Sequence, residues 1–179
     1  MMSLYTIVLV TPALGYLCWS DYRRRLLPNA WTMGLLLAAL AWRLGWGGLP
    51  LLMDGVWGCL VAACFMMLPF LLRASGGGDV KFLAACGAVT GLGRVPVLLM
   101  YTSVCGLVLA LVFLLMRKAT VARFKHYFLC LFWWRYDRQA ARAKLPDMHS
   151  EENMVPFGIA IAAGTWLTLL ASLWQGGFQ

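Results

Sequence analysis

The sequence predicts an all-α protein, a polytopic membrane bundle of about six transmembrane helices in a single domain, residues 1–179. Three observations carry this. Apolar residues fill 62% of the 179 positions, and mean hydropathy is +0.76. Charged residues make up 12%, against roughly 25% in soluble globular domains. The apolar residues also fall in long blocks, which excludes a disordered chain and argues against a water-soluble one.

A membrane helix takes about 20 apolar residues, within a range of about 17–25. Residues 4–19 are uncharged. Residues 30–48 carry only Arg43, and residues 51–72 only Asp54. Residues 80–93 are a shorter block holding Lys81. Its small residues include Gly87 and Gly91, a GxxxG step that lets helix backbones approach closely. We expect this helix at the centre of the bundle, shielded by the others. Residues 95–116 and 154–174 are uncharged. Helices are the natural spanning element, because lipid satisfies no open backbone group. The alternation of an outer-membrane barrel is absent.

The net charge of +8 reflects topology rather than nucleic-acid binding. Of the 15 basic residues, 13 fall in the first, third and fifth connections. Lys and Arg in short loops mark the cytoplasmic side, so the N-terminus is expected outside. With no basic residue before the first span, a cleaved signal peptide is not expected. The long connection, residues 117–153, is basic at both ends and holds the apolar run from Tyr127 to Trp134. Aromatic residues beside Arg and Lys suit the headgroup region, so an interfacial helix is expected there.

Six cysteines form no CxxC pair, and five of them lie in spans, so neither metal nor cofactor is expected. His126 and His149 fall in the long loop and read as solvated.

Seven acidic residues can be sorted singly. Asp54 lies near the outer end of the third span, within reach of water. Asp137, Asp147, Glu151 and Glu152 belong to the long loop. Asp21 and Asp79 remain, each at the same expected membrane face, at the edge of a span. An ionisable residue at membrane depth is costly and marks a functional site. Asp79 follows Gly76-Gly77-Gly78, a stretch that resists helix formation and allows close backbone approach. Such backbone at membrane depth should border a polar cavity. The plainer alternatives are that Asp79 only caps a helix, and that Asp21 only pairs with a nearby Arg. Two close carboxylates do not both ionise, so one holds a proton near neutral pH. The ionised member can then take a proton from water while the other donates to the leaving amine. Lys81 either biases which carboxylate ionises or snorkels to the interface.

Asp21 with Leu27-Pro28-Asn29, then Gly76-Gly77-Gly78-Asp79-Val80-Lys81, then Val155-Pro156-Phe157-Gly158, resembles the type IV prepilin peptidases, intramembrane aspartic proteases of the GxGD class. The resemblance covers most of the chain. It implies that Asp21 and Asp79 are the catalytic pair and that Gly76 and Gly78 are the motif glycines. It further implies that Pro28, Asn29, Lys81, Pro156 and Gly158 line the site. The substrate would be a prepilin or pseudopilin whose basic cytoplasmic leader is removed in the bacterial inner membrane. Its affinity is expected mostly from packing of its transmembrane helix, with membrane lipids as the other partner and nucleic acid not involved. The cysteine-rich insertion of the larger members is missing, so the chain resembles the short, peptidase-only type of Flp/tight-adherence pili, and N-methylation is not expected. Three other readings compete with this one. A presenilin-like protease shares GxGD but not the Asp…Pro-Asn context. A proton-coupled transporter should hold its acids near the midplane. A non-catalytic pilus assembly factor would not need the intact Asp pair.

Overall fold

The computed structural model describes residues 2–24, 27–71, 75–115 and 157–174. All regular structure among them is helical: α1 (Met2–Arg24), α2 (Asn29–Leu71), α3 (Gly77–Thr90), a 3-10 turn (Leu92–Arg94), α4 (Val95–Leu115) and α5 (Phe157–Trp174). Three are long and apolar enough to cross a membrane by length and composition: Asn29–Leu71, Leu92–Phe113 and Phe157–Trp174. The all-helical class thus holds, while the six expected spans fall on five helices. The expected interfacial helix within residues 117–153 lies outside the described residues.

The second and third expected spans are two legs of α2. Gly48 breaks the helix with φ 63° and ψ −155°, a conformation open to glycine and strained for other residues. Pro50 follows, where the first turn of the second leg has no use for its missing N–H. The bend is sharp. Residues 43 and 55 would stand about 18 Å apart along a straight helix, yet a Cβ at Gly55 would lie 2.7 Å from Cδ of Arg43.

The expected central helix is α3. Its 14 residues rise only about 21 Å, too short for a hydrocarbon core of about 30 Å. It compensates by being enclosed: every residue from Phe82 to Thr90 is buried. Its widest contact is with α2, and it also touches α4 and α5. Gly87 makes the approach possible. A Cβ there would sit 2.5 Å from the Gly58 carbonyl oxygen and 2.6 Å from Cβ of Ala62. On the other side, α5 lies along α4, where a Cβ at Gly164 would meet the Thr102 backbone at 2.7 Å. The core is the cluster of Leu14, Leu17, Met66, Phe82, Leu83, Leu98, Ile161 and Leu169. Large apolar side chains such as Leu37, Leu60, Leu107 and Val108 stay exposed on the outside, as a lipid-facing surface requires.

Candidate active site

Asp21 lies in the last turn of α1 and is buried. Asp79 lies in the first turn of α3. The glycine run shapes that turn. Asp79 N–H donates to the Gly76 carbonyl at 3.1 Å, and Gly76 N–H donates back to Asp79 Oδ2 at 3.1 Å. This reciprocal pair satisfies two backbone groups that a helix start leaves open. Asp79 is therefore a cap, as the plainer reading holds, but it is more than a cap. It stands ahead of the apolar stretch, outside the helices long enough to span. Burial pushes its pKa up to about 6. The Gly76 N–H opposes that shift, and the negative charge of Asp21 adds to it. The two carboxylates thus lie within each other's field.

The motif before α2 reaches the same place. The Pro28 carbonyl accepts from Trp31 N–H at 3.1 Å and Thr32 N–H at 3.2 Å, which starts α2. The Asn29 side-chain oxygen accepts from Lys81 Nζ at 2.9 Å. Lys81 is thereby tied to the start of α2. Leu27 touches Gly78, where a Cβ would lie 3.0 Å from the Leu27 Cβ. Gly76 differs. Its φ of −81° is ordinary, and the nearest atom to a Cβ there would be Asp79 Oδ2 at 3.8 Å. Of the two motif glycines, only Gly78 stands tight against a neighbour.

The start of α5 closes the site from the other side. A Cβ at Gly158 would lie 2.6 Å from Oδ2 and 2.9 Å from Cγ of Asp21. The structure therefore brings Asp21, Pro28, Asn29, Gly76, Gly78, Asp79, Lys81 and Gly158 to one end of the bundle. Pro156 lies outside the described residues. Aromatic residues of α1 and α2 pack near this end: Tyr16 lies on Trp31 with centroids 4.4 Å apart, and Arg23 lies over the Trp19 ring at 5.6 Å.

Sequence reasoning missed two features. Ser75, just before the glycines, is buried, and its hydroxyl has no hydrogen-bond partner among the described residues. Only its place in the motif could have signalled it. At the far end of the bundle, Arg43 reaches Asp54 at 2.7 Å. It also donates to the Leu51 carbonyl at 3.3 Å and the Val89 carbonyl at 3.1 Å. Asp54 in turn accepts from Leu92 N–H at 3.1 Å. One charge of each sign in adjoining spans was the available signal.

A model of the type IV leader peptidase family matches residues 8–111, more than half of the 179. The chain belongs to that family. The match takes in Asp21, the Leu27-Pro28-Asn29 stretch and the glycine run with Asp79, and it ends before α5. No curated protein and no solved structure matches significantly. As a member of the family the protein is a peptidase of type IV leaders. Gly158 lies beyond the matched segment and reaches the site only through the fold. Among the described residues no group of three or more His, Cys, Asp or Glu side chains is placed to hold a metal ion.

Proposed function

We propose that this leader peptidase is an intramembrane aspartic endopeptidase in which Asp21 and Asp79 activate water. The reading is supported by two close approaches at one end of the bundle, Gly158 against the Asp21 carboxylate and Leu27 against Gly78 beside Asp79, with Asp21 among the groups that raise the Asp79 pKa. Two carboxylates that share a site divide the roles of base and acid. One takes a proton from water, and the other polarises the scissile carbonyl and protonates the departing amine. Nothing in this scheme needs a nucleophilic side chain. Gly158 leaves the Asp21 carboxylate its space, and Gly78 lets the Leu27-Pro28-Asn29 segment close on the start of α3.

The substrate in this reading is the basic leader of a Flp-like prepilin or pseudopilin, cut where it meets the cytoplasmic face of the inner membrane. The positions of Lys and Arg support that orientation. The two legs of α2, with α1, α3, α4 and α5, supply six passes with the N-terminus outside. The short α3 passes inside the protein rather than against lipid.

The test is co-expression with candidate prepilins, comparing wild type with Asp21→Asn and Asp79→Asn. We expect leader removal by the wild type alone, with all three proteins inserted at similar levels. Equal processing by either variant removes that residue from the mechanism.

A further inference from the structure

A cavity of about 400 Å³ opens between the first half of α1 and the far half of the first leg of α2. Its volume falls within the range of ligand pockets, about 300–1,000 Å³. It lies at the end away from Asp21 and Asp79, since its wall includes Arg43 and Val89 near the last turn of α3. Leu9, Val10, Leu35 and Ala39 make the wall apolar, and Trp42 and Arg43 close it. These last two carry the unusual feature. Trp42 Nε1 and Arg43 Nε are buried and have no hydrogen-bond partner among the described residues. Arg43 is 3% exposed, with its other nitrogens on Asp54, Leu51 and Val89. A buried donor left open is costly, and both residues line the same apolar hollow.

We propose that the cavity holds one phospholipid from the leaflet opposite the two aspartates. An acyl chain lies against Leu9, Val10, Leu35 and Ala39. An ester or phosphate oxygen accepts from Trp42 and Arg43. The open donors decide the occupant. A transmembrane helix, from a second copy or a substrate, has its carbonyls bonded within itself and offers apolar side chains. A glycerophospholipid brings a chain and several acceptors in one molecule, from the solvent that surrounds this surface.

The full-length protein is reconstituted in phosphatidylglycerol vesicles doped with a photoreactive acyl phospholipid, and the labelled peptides are mapped. Labelling is expected to concentrate on residues 6–10 and 35–42 over the lipid-facing Leu107 and Val108. Ala39→Phe fills the hollow and should abolish the excess. Trp42→Phe keeps the ring but removes its donor, and should lower the excess about fivefold, the worth of one hydrogen bond. Retained monodispersity of both variants shows that they fold. The proposal is overturned by labelling no denser than at Leu107 and Val108, by either variant labelling like wild type, or by cross-links that join two copies of the chain.

Discussion

Gly158 stands against the carboxylate of Asp21, so close that a single added carbon would lie 2.6 Å from its oxygen. The last helix thereby fixes where the first one holds its acid. Gly158→Ala should push that carboxylate aside by about an ångström, a displacement that costs an enzyme about a hundredfold. We expect leader cleavage to fall by about that factor while insertion and thermal stability change little. Full cleavage by the variant would detach α5 from the chemistry.

The motif glycines should separate under the same substitution. Gly78→Ala drives a methyl group to 3.0 Å from Leu27 Cβ, which must shift the Leu27-Pro28-Asn29 segment. Gly76→Ala meets only Asp79 Oδ2 at 3.8 Å with an ordinary φ. Measured on one prepilin, Gly78→Ala should lose much more cleavage than Gly76→Ala. The reverse order would mean that the glycine run serves something other than this contact.

Asp79 titrates at about 6, raised mainly by burial and further by Asp21. Between its unfolded value of about 3.8 and about 6 the folded protein therefore holds an extra proton. The sign follows from linkage: this group's contribution is fully present below the unfolded value and is lost as pH rises through about 6. Stability should fall across that window, and Asp79→Asn should flatten the fall. Infrared titration of the carboxyl stretch reads the group directly. In Asp21→Asn the Asp79 band should titrate at lower pH, because one source of the upward shift is gone. An unmoved midpoint would show that the two acids do not sense each other.

At the far end, Asp54→Ala leaves the enclosed guanidinium of Arg43 without its anion. Breaking a fully buried pair costs about 3–5 kcal/mol. Since Asp54 is 38% exposed, the loss should fall below that. The double variant Arg43→Met, Asp54→Leu should recover much of it, because neither charge remains stranded. Thermal unfolding in detergent would show both effects, and equal losses in the single and double variants would exclude this account.

The helical class was legible in block lengths alone, and the Lys and Arg distribution led to the expectation of Asp21 and Asp79 at one end of the bundle. Both are long-range averages that need no detailed geometry. The enclosure of α3 was also readable, because a block that short cannot face lipid along its length. Other features needed three dimensions. No pattern says that Gly48 turns α2 back, since Gly45 and Gly47 beside it look alike in sequence. The unequal demands on Gly76 and Gly78 depend on where Leu27 falls. Asp54 reads as a charge near water within its own span, whereas a bend between the spans joins it to Arg43.

That joined pair also bears on movement. The Thr90 end of α3 is pinned, through Arg43 on the Val89 carbonyl and Asp54 on the neighbouring Leu92 amide. Among the described residues its Asp79 end is held more lightly, by Leu27 against Gly78 and by an exposed contact from Lys81 to Asn29. A peptide entering between the acids would swing this rod about its fixed tip, with a lever arm of about 21 Å, so that a tilt of a few degrees at the anchored end opens the cleft by an ångström or more at the other.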